Sequence, residues 1–297
     1  MKKYNIDFIS KFPIAAAISI ILVLGSIIMF ATKGLNYGVD FRGGAELQIK
    51  FNSSMDQEGL RGSLNSEEFN ISSIQSIGDT SENEFLIKIQ ATADDINKVT
   101  QAVSNKLEKD FSGQFNIRKT DVVGPKAGAQ LRISGFQAML WALLAIMIYI
   151  GLRFDFKYSP GAIVALLHDV IIIIGIFVLT QKEFSLQIVA ALLAIIGYSV
   201  NDTVVVYDRV RENEENNPGK DLDKVIDKSI NETLSRTIMT SLTTLIVSVI
   251  MFIFGGGSIK DFFFAITLGV IIGTYSSVFV ASPTILFFDK FLNKQNA

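Results

Sequence analysis

Residues Pro160–Thr180 read PGAIVALLHDVIIIIGIFVLT, an apolar run interrupted only by the pair His168-Asp169. About 20 predominantly apolar residues suffice to cross about 30 Å of hydrocarbon as a helix, so this stretch alone places the chain in a membrane. Five more runs read the same way: Pro13–Ala31, Ile133–Leu152, Leu186–Tyr207, Thr237–Phe254 and Phe262–Phe288. The 297 residues are 49% hydrophobic and 19% charged, and the two classes are segregated rather than interleaved. Six spans follow. The first is read as an uncleaved anchor, because its apolar core exceeds the 7–15 residues of a signal peptide and no small-x-small cleavage site follows it.

Lys and Arg fix the expected orientation. With the N-terminus inside, that side holds Lys2, Lys3, Lys11, Arg153, Lys157, Arg209, Arg211, Lys220, Lys224, Lys228, Arg236, Lys290 and Lys294. The short outer loops hold one each, Lys182 and Lys260. Both termini are therefore expected in the cytoplasm. A net charge of -2 gives no reason to expect a nucleic-acid partner, and the absence of Cys rules out disulfides.

Between the first two spans, residues 34–126 read as a folded insert. The pattern is strand (Ala45–Phe51), helix (Asp56–Leu64), strand (Asn70–Ile77), strand (Glu84–Gln90), helix (Ala93–Phe111), strand (Phe115–Val123). That is the ferredoxin-like order, a fold that hosts many activities. Thr92 is placed to cap the second helix, with Asp94 and Asp95 in its first turn, and Ile96, Val99, Val103 and Leu107 recur at helical spacing. Gly43-Gly44 and Gly124-Pro125 punctuate the two ends. Short tethers of this kind predict an insert that tilts as a rigid body on its spans.

The predicted organisation is thus residues 1–33 for the tail and first span, 34–126 for the α+β insert, and 127–297 for spans two to six, with a cytoplasmic loop at 208–235. Within that loop Leu222, Val225, Ile226 and Ile230 have amphipathic spacing. This predicts a helix over Asp221–Thr233, either lying on the membrane surface or packed on the inner ends of the spans. In span six Gly269, Gly273 and Ser277 recur at i, i+4 and i+8, the spacing that lets helices approach closely.

Walker, GxSxG and HExxH motifs are missing, and one His without Cys makes a transition-metal site improbable. What remains is charge within the membrane, which is costly and by default marks an ion or substrate path. Asp202 lies about one and a half turns from Tyr207 at the expected inner end of span four, flanked by Asn201 and Thr203. Arg236 opens span five in the same leaflet, and Thr240, Thr244 and Ser248 continue one polar stripe from it. The expectation is that Asp202 and Arg236 meet. Burial raises a carboxyl pKa and a guanidinium lowers it, so their approach and separation would switch a proton on and off Asp202. The bland alternative is a static salt bridge, or an Arg that snorkels to the headgroups. His168 with Asp169 in span three is a further candidate relay, or a satisfied interior pair.

Several of these stretches resemble the SecD/SecF family: Gly38-Val39-Asp40-Phe41-Arg42-Gly43-Gly44, Leu167-His168-Asp169-Val170, Gly197–Arg209, Ser235-Arg236-Thr237 and Phe254-Gly255-Gly256-Gly257. They fall in the family's order across nearly the whole chain, and the small insert resembles that of the family's smaller subunit. The resemblance implies a polytopic α-helical membrane protein of six transmembrane helices with an inserted α+β ferredoxin-like periplasmic domain, in the bacterial inner membrane. It implies an accessory role in Sec export beside SecD, the SecYEG translocon and a translocating preprotein, surrounded by membrane lipid. No cofactor is implied; protons are the coupling ion of the resistance–nodulation–division superfamily. The family's intramembrane Asp and Arg fall on Asp202 and Arg236, and SecD adds a further Asp. The alternatives left open are a non-conducting scaffold and half of a small-molecule or lipid transporter.

Overall fold

The computed structural model describes residues 5–64, 69–78, 80–90, 96–154 and 158–295. Among these residues six helices are long and apolar enough to cross a membrane. They are α1 (Phe12–Lys33), α5 (Pro125–Arg153), α6 (Ser159–Thr180), α7 (Leu186–Glu215), α8 (Leu222–Phe254), and the pair α9 (Gly257–Ser276) and α10 (Ser282–Gln295), joined by a π-helical turn at Ser277–Ala281. A short helix, α2 (Val39–Arg42), leads into the insert. The insert is β1 (Gly44–Phe51), α3 (Gln57–Leu64), β2 (Ile71–Ile77), β3 (Glu84–Ile89), α4 (Ile96–Phe111) and β4 (Phe115–Val123). Thr92, Asp94 and Asp95, read as the cap and first turn of α4, lie outside the described residues, as do Lys2, Lys3 and Lys157.

The four strands pair antiparallel in the order β2-β3-β1-β4, with Leu47 opposite Ile87 and Glu46 opposite Lys88. One face of the sheet buries Leu47, Ile49, Phe51 and Ile87 against Leu60 and Leu64 of α3 and Val103 and Leu107 of α4. Period-2 and period-3.6 patterns thus meet in one core. The fold class read from the sequence, six spans with an α+β insert, is the one observed.

The insert is docked rather than merely tethered. Gly44 has φ 154° and an added Cβ would lie 2.2 Å from the Ile89 carbonyl oxygen, so only glycine fits where β1 begins. Phe184, in the link between α6 and α7, accepts a bond from Gly38 N and donates one to the Asn36 carbonyl. Asp40 accepts from Leu186 N at 2.9 Å. In the same link Glu183 holds Lys88 of β3 at 2.8 Å. The turn between α8 and α9 reaches the end of the edge strand β2, where an added Cβ at Gly256 would stand 2.4 Å from Gly78 N and 2.9 Å from Ile77 Cα. Gly256→Val is therefore expected to prise this turn off β2, at a cost on the order of 1–3 kcal/mol. Faster amide exchange in β2, with α3 and α4 unchanged, is the measurement that checks it.

At the opposite end of the bundle the expected loop is corrected, and of the two readings of the Asp221–Thr233 helix the one packed on the inner ends of the spans is observed. Residues 208–235 are not a loop: α7 runs on to Glu215 and α8 starts at Leu222, leaving only 216–221 as a turn. There is likewise no separate helix lying on the surface over Asp221–Thr233. That segment is the first part of α8, unbroken into the span. Its apolar residues Val225, Ile226 and Ile230 are buried in a cluster with Tyr207, Val210 and Ile285. The amphipathic face found protein to cover it, and Asn213 fastens the two extensions by bonding Ser229 at 2.9 Å.

Candidate functional site

Helix α7 is central to the bundle, and α9 lies close along it. An added Cβ at Gly269 would stand 2.3 Å from Ile195, and one at Gly273 would stand 3.2 Å from Ser199. The small-residue spacing in span six therefore packs helices tightly, as expected. This close approach brings side chains of α6, α7, α8 and α9 within hydrogen-bond reach of one another.

Asp202 of α7 is buried, 8% exposed. Its Oδ1 accepts from Thr237 Oγ1 of α8 at 2.6 Å. Its Oδ2 accepts from Ser277 Oγ, the first residue of the π turn, at 2.5 Å. One turn earlier on α7, Ser199 Oγ donates to Oδ2 of Asp169 on α6 at 2.6 Å. That same oxygen accepts from Ser276 Oγ at 2.8 Å. Asp169 is 1% exposed, and its Oδ1 is 2.9 Å from His168 Nδ1. The His168 ring stacks on Tyr275, and its Nε2 is buried with no partner. Two buried carboxylates are thus held by hydroxyls, and adjacent serines on α9 and the π turn serve one each.

The expected meeting of Asp202 and Arg236 does not occur: among the described residues no ion pair joins them. Successive side chains on a helix diverge by about 100°. Thr237 takes the direction that points at Asp202, so Arg236 turns outward. It is exposed and lines a cavity of about 1240 Å³ with the charged Asp208, Arg209, Glu212 and Glu232, at the end of the bundle away from the sheet. The stripe below it also departs from expectation. Thr240 Oγ1 bonds the Arg236 carbonyl at 3.0 Å and Thr244 Oγ1 bonds the Thr240 carbonyl at 3.0 Å. Both satisfy their own helix rather than lining a path. The polar seam between α7, α8 and α9 runs instead through Tyr198, Ser241 and Thr274, and then Thr267 and Ser248. Asn201 is exposed and Thr203 buried. Among the described residues the hydrogen bonds to Asp202's carboxylate come from Thr237 and Ser277, not from these two.

Thr237, Ser199, Ser276 and Ser277 were not singled out from the sequence as partners of the acids. The visible signal was the Ser276-Ser277 doublet in an apolar run, since hydroxyl pairs in a span need partners. The described residues hold no group of three or more His, Cys, Asp and Glu side chains suited to a metal.

A family model described as protein export membrane protein SecD/SecF, C-terminal, matches residues 102–290. The chain belongs to the SecD/SecF family. A second model, the SecD/SecF GG motif, matches residues 28–55, which include the Gly43-Gly44 turn at β1. Within the family the chain is similar to the protein translocase subunit SecF of Magnetococcus marinus, 42% identical over 97% of this chain and 94% of that one. It is also similar to that of Rickettsia rickettsii, 38% identical over 99% and 95%. Among solved structures it resembles SecDF, a translocon-associated membrane protein from Thermus thermophilus, with a TM-score of 0.81 and 33% identity. The match covers 97% of this chain and 39% of that one, so this chain spans about two fifths of the length of that SecDF. The resemblance read from the five sequence motifs is thereby borne out. As a SecD/SecF chain, it builds its buried acids on two of those motifs, Leu167–Val170 and Gly197–Arg209.

Proposed function

We propose that this chain is a proton-coupled accessory subunit of Sec-type protein export, working with a SecD-like partner beside SecYEG on a preprotein in transit. The observation that carries the proton part is Asp202: a buried carboxylate, at a depth set by a membrane-spanning helix, whose partners are hydroxyls and not a cation. A hydroxyl both donates and accepts. Thr237 and Ser277 therefore satisfy Asp202 whether it is a carboxylate or a carboxylic acid, and a proton can come and go without orphaning either neighbour. A fixed guanidinium in their place would hold the charged form alone.

Arg236 then acts at the mouth of the path. It stands one residue from Thr237, in a cavity rich in charged groups at the end opposite the sheet. A turn of α8 by one residue exchanges Thr237 for Arg236 against Asp202, the gating movement for which an always-charged side chain is suited. Helix α8 exposes Met239, Leu242, Val247 and Ile250, a face available to lipid or to the spans of SecD. We place the residues 34–126 side in the periplasm and both termini in the cytoplasm of the bacterial inner membrane. Lys11, Arg153, Arg209, Arg211 and Lys220 lie at the end away from the insert, and the insert's end has only Lys182 and Lys260 in its short links. No cofactor is required beyond the proton.

The scaffold reading draws on the same bonds, because Asp202 clamps α7, α8 and α9 together. The two separate in reconstituted vesicles. With the partner chain and translocon present, an imposed proton gradient is expected to drive proton uptake and to increase the amount of preprotein exported without ATP. Export indifferent to the gradient would leave the scaffold.

A further inference from the structure

The proposed reading uses one of the two buried carboxylates. The other, Asp169, is the more deeply buried, and the two are tied to consecutive residues at a break in helix geometry. Ser276 closes α9 and Ser277 opens the π turn; such turns inside helices recur at functional sites. Each of these serines has two acceptors within reach. Ser276 Oγ lies 2.8 Å from Asp169 Oδ2 and 3.1 Å from the Gly273 carbonyl oxygen. Ser277 Oγ lies 2.5 Å from Asp202 Oδ2 and 3.0 Å from the Thr274 carbonyl oxygen. A hydroxyl has a single hydrogen, so it serves the carboxylate or the main chain, not both.

We infer that Asp169 is a second proton acceptor of the site, and that Ser276 and Ser277 are positioning residues that report the protonation of the two acids to the α–π junction of span six. This rests on the proposed reading of Asp202. The step balances. When Asp202 takes a proton from a hydronium ion delivered by the gradient, that ion's O–H breaks, leaving water, and a new O–H forms on the acid and donates to Ser277 Oγ. The serine's own hydrogen leaves the carboxylate and turns to the Thr274 carbonyl, and no serine O–H bond is broken. Protonation of Asp169 does the same through Ser276 to the Gly273 carbonyl. Gly273 O already accepts from Ser277 N, so the extra bond falls where the helix passes from α to π spacing. The turn is stabilised from outside by side chains, Tyr207 on the Ala281 carbonyl and Ser282 on the Ser277 carbonyl. A shift of one main-chain bond there has a second arrangement to move into.

The groups facing the acids are hydroxyls and one imidazole. From α6 comes His168, whose Nδ1 meets Asp169 and whose buried Nε2 has no hydrogen-bond partner. From α9 comes Tyr275, whose hydroxyl is bound to the Ala15 carbonyl. From α7 come Ser199 and Tyr198, the latter turned to Ser241, and from α8 comes Thr237. Arg236 faces away, so among the described residues the one ionisable base beside either acid is His168, 2.9 Å from Asp169.

The test is infrared difference spectroscopy of the full chain with its co-purified partner, between acid and alkaline pH, read at the protonated-carboxyl stretch. The expected spectrum contains two carboxyl components from this site. Asp202→Asn removes one and Asp169→Asn the other; Ser277→Ala shifts only the first and Ser276→Ala only the second. If Asp169→Asn fails to accumulate, Ser276→Ala decides, since Ser199 still holds the carboxylate in that variant. Loss of a component with Asp202→Asn but none with Asp169→Asn, or no shift with Ser276→Ala, overturns this inference and leaves the proposed function standing. An unchanged spectrum with Asp202→Asn sinks that reading instead. Serine variants that leave both components in place overturn the reporting role.

Discussion

Replacing Asp202 with Asn is expected to reduce gradient-driven proton uptake by the reconstituted complex to the background of empty vesicles. The fall should be at least about 100-fold if the carboxyl is an obligatory proton carrier, the lower range for loss of a positioned acid–base group. The gradient-dependent part of export should disappear with it. The fold should survive, for a specific reason. Asn has the shape of Asp, its carbonyl oxygen accepts from one hydroxyl and its amide donates to the other, so Thr237 and Ser277 both keep a partner. The stability change is expected to be about 1 kcal/mol, that of one altered hydrogen bond. Co-purification of the partner checks that assembly persists. Thr237→Val is the graded control: it removes one of the two hydroxyls, keeps the acid and the shape, and should slow uptake without abolishing it. Undiminished uptake by Asp202→Asn would remove the proton from the account and return this carboxylate to the role of a clamp.

How much of this was legible in the sequence follows from the range of the physics involved. The spans were legible because the cost of leaving polar groups in hydrocarbon acts on each helix separately. The insert was legible because its two periodicities are local, and each of its six predicted elements overlaps the observed one wherever it is described. Asp202 and Asp169 stood out for the same reason, as ionisable groups in apolar runs. Partner choice was not legible. Arg236 and Thr237 are neighbours in sequence, and which of them faces Asp202 depends on the rotation of α8, set by its packing along its whole length. Opposite charges in one leaflet suggested a pair; the angular step between adjacent residues decided otherwise. Ser277 shows a related loss: its small size was read correctly as permitting close helix contact, and that same contact is what delivers its hydroxyl to Asp202. The helix over Asp221–Thr233 was read, packed on the inner ends of the spans as one of two alternatives, but its continuity with α8 and the extension of α7 were missed, because charged, amphipathic sequence is equally compatible with a loop helix and with a span running on beyond the membrane.

The largest effect on stability is expected from Lys88→Met. Lys88 on β3 is 3% exposed. It sits 2.8 Å from Glu183 in the α6–α7 link and 3.4 Å from Glu46, its cross-strand neighbour on β1. Burial alone would depress the Lys88 ammonium, but Glu183 and Glu46 outweigh it and hold the group above its ordinary 10.5. Glu46 moves the other way from what a paired acid would. Its burial comes first and raises it above 4.5, Lys88 opposes this, and the nearby Asp40 and Glu183 add to the rise. The two shifts disagree about the strength of the Lys88–Glu46 contact. The distances explain why: the ammonium belongs mainly to Glu183, and Glu46 shares what is left. Removing the cation strands Glu183, 11% exposed at its side chain, and breaking a buried pair in this way costs about 3–5 kcal/mol. The loss should appear as faster amide exchange in Asn36–Gly43 and the 181–186 link, where the insert meets the membrane part. Glu183→Gln added to Lys88→Met should recover part of it, because the stranded charge is then gone. Glu46→Gln alone should be close to neutral. The pH dependence follows from the signs. With its folded value raised, Lys88 contributes fully below 10.5 and its contribution fades as pH climbs through the higher folded value, so docking should weaken at strongly alkaline pH. Glu46, also raised, costs a little as pH rises through the range just above 4.5. Because this pair joins the sheet to the link between α6 and α7, the helices that carry Asp169 and Asp202, its rupture should also uncouple proton uptake from export, leaving the first intact while the second falls.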